Sequence, residues 1–294
     1  MTLDFSTTIP VWSRIGDKLD NIQAVICDLW GVLHDGVESN NEAVECLMNI
    51  RSMGIPVALL SNSPKPVDEV WNYLSDLGIS RTVADVLITS GSIARRMIRR
   101  THSGQKMYHL GPAKRDASTL EGLPVEQVHS VLEADFILCT GLIEVTGQAH
   151  SAMLKGAALR GIPMICANPD RVVHVRDELQ LCAGVVADVY LSFGGIVTWA
   201  GKPNALAFQS ALEALTLPLS EKAIFMIGDS LQTDIAGAAN VGYKAILIAG
   251  GIHREDILPC LDQGNPSYLQ LAAILQRESQ TIPVMESIMP SLKF

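Results

Sequence analysis

The sequence lacks the features that would place the protein outside the cell or in a membrane. Its six cysteines include no Cys-x-x-Cys pair, which argues against a disulfide framework or a zinc site and for reduced, buried thiols. The first residues show no basic start followed by an apolar run, and no uninterrupted apolar stretch reaches the roughly 18 residues of a transmembrane helix. The sequence therefore predicts a cytoplasmic protein with no membrane partner.

The chain also has little positive charge. It contains 22 Lys and Arg against 31 Asp and Glu, and its formal net charge is -9. The densest basic segment is formed by the pairs Arg95-Arg96 and Arg99-Arg100, whose spacing fits one solvent-facing side of a helix. Because the net charge would repel a polyanion, nucleic acid is not an expected partner.

Short β-rich runs alternate with amphipathic helical segments along most of the chain. This order is typical of βα units in a parallel sheet covered by helices on both faces. Helices predicted over residues 42–53, 67–77 and 148–160 each precede a glycine, which suits the left-handed position after a helix. The predicted strands are residues 24–27, 57–60, 86–88, 107–110, 136–139, 164–167, 223–227 and 245–248. We therefore predict an α/β fold with a doubly wound, Rossmann-like parallel sheet.

The distribution of polar strand ends indicates two domains. At 294 residues and 48% hydrophobic content, the chain is long enough for both. Polar strand ends occur near residues 28 and 61 and again near 202 and 229, and the segment between has strands and helices but no such motif. We predict a core domain of residues 1–89 plus 199–294 and an inserted α/β domain of residues 90–198, over the carboxyl edge of the sheet where ligands bind.

Asp28 is the most informative residue of the predicted core. It follows the apolar run 24–27 and precedes Leu29-Trp30-Gly31, as expected for the carboxyl end of a buried strand. An aspartate in this position is ionised at neutral pH and can act as a nucleophile or a metal ligand without a partner base. Asp28 is therefore a candidate for both roles.

Two further segments are suited to seat an anion. The apolar run 57–60 ends in Ser61-Asn62, which brings a hydroxyl and an amide to a helix start, although such residues are also common in turns and caps. Lys202 stands between Gly201 and Pro203, and we predict that the proline lies in the first turn of a helix over residues 204–215. This placement would direct a fixed positive charge; the alternative is a surface lysine.

A fourth segment, from Gly228-Asp229 to Asp234, follows the apolar run 223–227. Two aspartates around a helix start, after so apolar a strand, suit a hard divalent cation bound by oxygen ligands. A phosphate ester would bring negative charge to the Asp28 carboxylate, so Mg²⁺ and the Lys202 ammonium must offset the repulsion before attack. Together the segments supply a nucleophile, a polar seat, a cation and a metal carboxylate.

These motifs resemble those of the haloacid dehalogenase superfamily, in the class with a large α/β cap inserted after the second motif, as in NagD-type and pyridoxal-phosphate phosphatases. The similar segments are Asp28-Leu-Trp-Gly-Val-Leu for the first motif, Ser61-Asn62 for the second, Gly201-Lys202-Pro203 for the third and Gly228-Asp229 with Asp234 for the fourth. The resemblance covers nearly the whole chain and identifies the inserted domain as the cap.

The resemblance implies a role for each matching residue. Asp28 would become an aspartyl-phosphate, and Asp229 and the backbone carbonyl of Trp30 would join it in binding Mg²⁺. Ser61, Asn62 and Lys202 would hold the phosphoryl oxygens, and Asp234 would support the metal site through water or Lys202. In the cap, the segments Ala167-Asn168-Pro169-Asp170 and Cys182-Ala-Gly184 look like those of NagD-type caps. Candidates for substrate contact are Asn168, Asp170 and Arg171.

Trp30 departs from the family pattern, in which this position usually carries an aspartate that acts as general acid and base. Tryptophan can neither give nor take a proton, and because such catalysis is worth about 10²–10⁴-fold, we expect a slow or narrow phosphatase. His34 or Asp35 could replace the missing acid, although a solvated turn is the commoner reason for His-Asp-Gly. A substrate whose leaving group has a low pKa would need no acid.

We therefore predict a Mg²⁺-dependent hydrolase that acts on a small phosphorylated metabolite. Two alternatives stay open: a catalytically impaired phosphate- or nucleotide-binding protein, and a haloacid dehalogenase, because dehalogenases carry an aromatic residue where this chain has Trp30. The dehalogenase is disfavoured because its cap is a smaller helical insertion near the first motif. The resemblance also allows a homodimer that forms through the cap.

Overall fold

The computed structural model describes residues 6–20, 22–142, 151–175, 178–216, 223–275 and 282–294. Its strands are β1 Ala24–Cys27, β2 Val57–Ser61, β3 Val86–Thr89, β4 Lys106–Leu110, β5 Glu126–Val128, β6 Phe136–Cys139, β7 Met164–Cys166, β8 Val172–Val175, β9 Glu178–Leu181, β10 Val197–Trp199, β11 Ile224–Gly228, β12 Lys244–Ile248 and β13 Ser287–Met289. Its helices are α1 Asn41–Ser52, α2 Val67–Asp76, α3 Ser90–Thr101, α4 Ala117–Leu120, α5 Ser151–Leu159, α6 Ala183–Ser192, α7 Ala205–Leu215, α8 Ala236–Asn240, α9 Arg254–Leu261 and α10 Tyr268–Leu275. None of these helices combines the length and apolar character needed to cross a membrane.

Six parallel strands form the first sheet, in the order β13-β12-β11-β1-β2-β3. The chain moves outward from β1 on both sides, through β2 and β3 in one direction and through β11, β12 and β13 in the other. Every residue of β1, β2 and β11 is buried, as expected for strands covered by helices on both faces. The prediction of a doubly wound parallel sheet is confirmed.

A second parallel sheet, in the order β10-β7-β6-β4-β5, is built from residues 106–199. It lies almost wholly within the segment predicted as an insertion. Strands β8 and β9 form an antiparallel hairpin between β7 and α6, and every residue of β9 is exposed. Buried side chains from both sheets, such as Ile26 and Phe136, belong to one apolar cluster. Apolar packing is therefore continuous between the two sheets.

Two elements lie across the predicted domain limits. Helix α3, predicted to open the insertion, packs against β3 and α7 of the core. Trp199, predicted as the first residue of the returning core, ends β10 and pairs with Cys166 in the second sheet. The limits at residues 90 and 199 therefore stay a prediction. If each element is assigned to the sheet that it contacts, α3 belongs to the core and Trp199 to the insertion.

Two arginines of α3 pack against neighbouring helices, although the sequence predicted that they face solvent. The last two arginines of the helix are exposed, but Arg95 donates to two carbonyl oxygens of α4, and Arg96 donates to the Ser210 hydroxyl of α7. The prediction of a solvent-facing basic side is therefore wrong for Arg95 and Arg96, because neighbouring helices lie against both. The helix predicted over residues 148–160 corresponds to α5, and its first three residues lie outside the described residues.

Candidate active site

The carboxyl ends of three neighbouring strands bring the predicted site residues together. Asp28 follows β1, Ser61 ends β2 and Asp229 follows β11, and these strands are adjacent in the sheet. Lys202 arrives from the loop between β10 and α7. All four residues are buried, with Lys202 only 1% exposed. Residues that are far apart in the sequence thus form one buried polar cluster.

Lys202 lies at the centre of this cluster. Its ammonium Nζ is 2.6 Å from Asp28 Oδ1 and 2.7 Å from Asp234 Oδ1. Burial alone would lower the pKa of Lys202, but the Asp234 and Asp28 carboxylates outweigh it and raise that pKa. The side chain therefore carries a positive charge in the interior, and the alternative of a surface lysine is excluded.

The loop that carries Lys202 differs from the prediction in one detail. Helix α7 begins at Ala205, and Asn204 is its N-cap, because the Asn204 side chain accepts a hydrogen bond from Leu206 N at 3.0 Å. Pro203 therefore precedes the cap instead of lying in the first helical turn. The proline shapes the approach of the chain to the helix.

Three carboxylates share the buried space around Lys202. One oxygen each from Asp28, Asp229 and Asp234 lies within 4.8 Å of the others. Burial raises the pKa of Asp28 and of Asp229, and repulsion between the carboxylates raises both further. The Lys202 ammonium pairs with two of these carboxylates, those of Asp28 and Asp234. This set of oxygen ligands contains more acidic than basic groups, and it fits a hard divalent cation such as Mg²⁺.

Asp229 is held by the backbone that surrounds it. Its Oδ2 accepts a hydrogen bond from Ile252 N at 2.7 Å. Gly31 and Gly251 approach so closely that a Cβ atom at either position would clash with the Asp229 carboxylate, and Gly31 also has a φ of +80°. Glycine at both positions therefore lets the loops after β1 and β12 close around this carboxylate.

Asp234 contacts the cluster from a π-helical turn over Leu231–Ile235. Its Oδ2 accepts a hydrogen bond from Ser230 N at 3.1 Å, and its Oδ1 faces Lys202. Asp234 was predicted to support the metal site through water or Lys202, and its contact with Lys202 is the one that the second route requires. Single π-helical turns often occur at functional sites, where they shift a side chain out of regular helical register.

Asn62 is engaged differently from a phosphate-binding side chain. Its Oδ1 accepts from Lys202 N at 2.8 Å, and its Nδ2 donates to the Lys202 carbonyl at 3.1 Å and to Asp170 Oδ1 at 2.8 Å. The amide therefore fixes Lys202 and Asp170, and the role of Asn62 in holding phosphoryl oxygens stays a prediction. Ser61 Oγ accepts from Ser63 N at 3.1 Å, and no acceptor among the described residues takes its proton.

Trp30 connects the core to the hairpin. Its indole Nε1 donates to the carbonyl oxygen of His174, in β8, at 2.6 Å. Its ring meets the His34 ring edge-to-face, with the centroids 5.0 Å apart, and Gly36 lies so close that a Cβ there would clash with the indole. The side chain that replaces the usual carboxylate therefore ties the hairpin to the core and offers no titratable proton.

Both residues predicted as a substitute acid have lowered pKa values. His34 is buried, its Nδ1 accepts from Gly36 N at 3.1 Å, and burial lowers its pKa to about 4, so the imidazole is neutral at pH 7. Burial would raise the pKa of Asp35, but hydrogen bonds from Glu38 N and Val37 N outweigh it and lower that pKa. Asp35 lines the same cleft as Asp28, and the role of His34 or Asp35 as the missing acid stays a prediction.

The three candidates from the insertion have different surroundings. Asp170 bonds to Asn62 and lines the same cleft as Asp28. Asn168 Oδ1 accepts from Asp170 N at 3.3 Å and so stabilises its own turn. Arg171 also lines the cleft, but its guanidinium forms a bidentate pair with Asp188 at 2.8 and 3.1 Å. Of the three, Asp170 is the residue that joins the core cluster.

Trp30 lies between two cavities. The first, the carboxylate cleft, has a volume of about 110 Å³ and includes Asp28, Asp170 and Asp229 in its wall. The second, the aromatic cavity, has a volume of about 370 Å³, and its wall includes Leu29, Trp30, His34, Ser61, Val70 and Tyr73, together with the charged residues Lys65, Glu69 and Arg115. The site thus has a charged side and a largely apolar side.

Sequence reasoning missed the loop after β12 and most of the aromatic cavity. The loop places Gly251 and Ile252 against Asp229, and the Gly250-Gly251 pair after an apolar run was the available signal. Tyr73 and Arg115 carried no signal, because each follows from the packing of helices and loops that are distant in the sequence. The charged side of the site was therefore the more predictable side.

Two parts of the chain match known protein families. Residues 25–125 match the family described as haloacid dehalogenase-like hydrolase, and residues 199–270 match the family described as HAD-hydrolase-like. Among solved structures, a hydrolase of the haloacid dehalogenase-like family from Brucella suis 1330 is 31% identical. It superposes with a TM-score of 0.80 over 96% of this chain and 99% of its own.

Two curated proteins show similar coverage at lower identity. The ribonucleotide monophosphatase NagD of Escherichia coli K12 is 27% identical over 246 residues, which are 80% of this chain and 90% of NagD. The acid sugar phosphatase of Staphylococcus saprophyticus is 29% identical over 242 residues, which are 81% of this chain and 90% of that protein. Their names indicate different phosphorylated substrates.

Proposed function

The chain belongs to the haloacid dehalogenase-like hydrolase family, and on that premise we propose that it is a Mg²⁺-dependent phosphatase of small phosphate monoesters. We further propose that the reaction passes through an aspartyl-phosphate on Asp28. The main support is the buried cluster of Asp28, Asp229 and Asp234, in which three carboxylates lie close together and the Lys202 ammonium pairs with Asp28 and Asp234. Such a cluster attracts a divalent cation, and the cation makes the approach of a phosphate group favourable.

Asp28 and Asp229 would hold the ion, with the backbone carbonyl of Trp30 as a proposed third ligand. Bound Mg²⁺ would supply the positive charge that offsets repulsion between the Asp28 carboxylate and the phosphoryl group. Lys202 would add its ammonium charge, which Asp234 holds in place at 2.7 Å. The Ser61 hydroxyl would donate a hydrogen bond to a phosphoryl oxygen.

In the proposed reaction, a carboxylate oxygen of Asp28 attacks phosphorus and forms an acyl-phosphate bond. The bond between phosphorus and the ester oxygen breaks, and its electron pair leaves with that oxygen. Water then hydrolyses the aspartyl-phosphate, which releases inorganic phosphate and restores the Asp28 carboxylate. Lys202 remains charged throughout, because the carboxylates beside it raise its pKa.

Trp30 limits this reaction, since it can neither protonate the leaving oxygen nor activate the water. General acid and base catalysis typically contributes about 10²–10⁴-fold. We therefore propose turnover that is slow, or that is restricted to substrates with little need for an acid.

Release of 4-nitrophenol and phosphate from 4-nitrophenyl phosphate tests the proposal. We expect a rate above the protein-free blank that is lost in EDTA and in Asp28→Asn, because an amide does not attack phosphorus as a carboxylate does. Asp256→Asn is the matched control, since it removes an exposed carboxylate from the first turn of α9, and it should keep the rate. A rate that persists in Asp28→Asn would contradict the proposed nucleophile.

A second candidate is a phosphate- or nucleotide-binding protein that keeps the Mg²⁺ seat and lacks turnover. The loss of the acid at Trp30 favours it. If phosphate release is absent at every pH while calorimetry detects Mg²⁺-dependent binding of phosphate or a nucleoside monophosphate, this candidate replaces the phosphatase. Chloride release from 2-haloacids without phosphate release would instead identify a dehalogenase.

A further inference from the structure

The aromatic cavity adjoins the proposed phosphate seat, because Ser61 and Trp30 line its wall. The His34 ring meets the rings of Trp30 and Tyr73 edge-to-face, with centroid distances of 5.0 and 5.5 Å. At about 370 Å³, the cavity is larger than the roughly 150 Å³ in which benzene binds in an engineered apolar cavity. Its size and lining therefore suit a substituted aromatic ring.

The charged residues of the cavity wall already have partners. Lys65 pairs with Glu69 at 2.5 Å and also donates to the carbonyl oxygen of Arg115. The Arg115 guanidinium forms a bidentate pair with the buried Asp116 carboxylate, at 2.7 and 3.0 Å. A second acidic group on a substrate would have to compete with these carboxylates. The wall therefore favours a neutral aromatic group over an anionic one.

Trp30 places a chemical requirement on the group that leaves. Its N–H is bonded to the His174 carbonyl, and an indole has no proton to transfer at neutral pH. The leaving oxygen must therefore carry the electron pair of the broken bond without protonation. An aromatic hydroxyl meets this requirement because its anion is delocalised into the ring, whereas an aliphatic alcohol does not.

We propose that the substrates are phosphate monoesters of aromatic alcohols, whose ring occupies the aromatic cavity while the phosphoryl group lies at Asp28. This inference rests on the proposed phosphatase function and specifies its substrate class. A bond forms between an Asp28 carboxylate oxygen and phosphorus, the phosphorus–oxygen bond to the ring breaks, and the phenolate leaves with the electron pair. The phenolate then takes a proton from solvent water, and a second water hydrolyses the aspartyl-phosphate to inorganic phosphate.

The substrate class is tested by kcat/KM for a series of substituted phenyl phosphates and alkyl phosphates. This constant includes every step up to departure of the leaving group. Without an acid, we expect kcat/KM to fall by about 10²-fold from 4-nitrophenyl phosphate to phenyl phosphate, and further for alkyl phosphates. Equal values across the series, or higher values for alkyl phosphates, would overturn the proposal.

Acetyl phosphate separates binding of the ring from the quality of the leaving group. Acetate leaves readily but has no ring, so we expect KM to be higher for acetyl phosphate than for 4-nitrophenyl phosphate. An equal or lower KM for acetyl phosphate would show that the ring is not bound in the aromatic cavity.

Two substitutions of Trp30 test the missing acid. Trp30→Asp supplies a carboxyl group, so the ratio of kcat/KM between 4-nitrophenyl and phenyl phosphate should contract to about 10-fold or less. Trp30→Phe keeps a ring without an acid, and although both rates should change with the lost hydrogen bond to His174, their ratio should stay at about 10²-fold. An unchanged ratio in a folded Trp30→Asp protein would contradict the proposal. If that variant does not fold, the substrate series in the unmodified protein still decides.

Tyr73→Leu tests the position of the ring. We expect it to raise KM for 4-nitrophenyl phosphate by about 10-fold, because an aromatic contact is lost, and to raise KM for acetyl phosphate less. Tyr108→Leu is the matched control, since Tyr108 is a half-buried tyrosine of β4 outside the cavity. An equal rise in KM for 4-nitrophenyl phosphate in Tyr73→Leu and Tyr108→Leu would contradict binding of the ring beside Tyr73.

Failure of the substrate class and failure of the function have different signatures. If the unmodified protein hydrolyses no ester in the series, the proposed phosphatase function fails, and the substrate class fails with it. If hydrolysis requires Asp28 but is indifferent to the leaving group, the phosphatase stands and the aromatic class is wrong.

Discussion

The two sides of Trp30 are stabilised by different forces. On the carboxylate side, buried charges face one another, and Lys202 Nζ lies within 2.7 Å of two carboxylates. On the aromatic side, rings pack at 5.0 and 5.5 Å, and the Lys65–Glu69 pair in the wall is partly exposed. Trp30 therefore separates the proposed site of phosphate chemistry from the proposed site for the leaving group, and we expect that each can be altered without the other.

The largest effect is expected on the carboxylate side, from Lys202→Met. Loss of one partner from a buried ion pair typically lowers the free energy of unfolding by about 3–5 kcal/mol, and phosphate release should fall by about 10³-fold because a charge that stabilises the transition state is gone. Urea denaturation and the 4-nitrophenyl phosphate assay measure the two effects.

The matched control for Lys202→Met is Lys244→Met. Lys244 pairs with Glu286 at 3.1 Å, but both side chains are well exposed, so the free energy of unfolding should change by less than about 1 kcal/mol. Similar losses of stability in the two variants would mean that burial of the Lys202 cluster has no special energetic role.

The aromatic side should respond to acid through His34. Burial lowers the pKa of His34 to about 4, against 6.5 for the free side chain, so the unfolded chain accepts a proton more readily than the folded protein. This stabilising contribution is present above about pH 6.5 and is lost as pH falls toward 4, by about 3 kcal/mol. The measurement is the free energy of unfolding between those pH values.

His34→Gln should remove most of that pH dependence, whereas His129→Gln, at an exposed histidine, should retain it. The slope of stability with pH is compared, because either substitution can shift the stability at a single pH. An unchanged slope in His34→Gln would place the acid sensitivity outside the aromatic side.

Mg²⁺ should stabilise the protein through the carboxylate side alone. Binding to the folded state adds about 2.7 kcal/mol to the free energy of unfolding at 100 times Kd, and Tm should rise accordingly. Asp229→Asn should lose most of the rise, while Asp256→Asn should show the full rise. A full Mg²⁺-dependent rise in Tm in Asp229→Asn would show that Asp229 is not a ligand of the ion.

The smallest effect is expected at the boundary between the sides, from Trp30→Phe. This change removes the 2.6 Å hydrogen bond to the His174 carbonyl, which is worth about 1 kcal/mol. Amide hydrogen exchange in β8 should become faster, and Trp199→Phe, in β10 of the second sheet, should leave it unaltered. Unaltered exchange in Trp30→Phe would mean that other contacts hold the hairpin.

The charged side could be predicted because its signals are local in the sequence. The predicted strand 24–27 coincides with β1, and Asp28 and Ser61 were recognisable as polar residues that end apolar runs. Carboxyl ends of neighbouring parallel strands meet at one edge, so local patterns were enough to bring these residues together. Lys202 was predicted from the residues on either side of it in its loop. Pro203 was predicted in the first turn of the helix, but it precedes the helix cap.

The aromatic side could not be predicted because its contacts join distant segments. Trp30 and His174 are 144 residues apart, and no periodicity relates them. Strands β8 and β9 were missed because each is four residues long and β9 is exposed throughout, which removes the usual apolar alternation. Arg95 was misread for a similar reason, since its carbonyl partners in α4 are 23 and 24 residues away.

Asn62 joins three segments of the chain through one amide, because it binds both backbone groups of Lys202 and the carboxylate of Asp170. A displacement of the turn that carries Asp170 would break its 2.8 Å bond to Asn62 and leave the two bonds between Asn62 and the Lys202 backbone in place. The backbone that carries the buried ammonium thus keeps its Asn62 anchor whether or not the insertion contributes a carboxylate to the cleft.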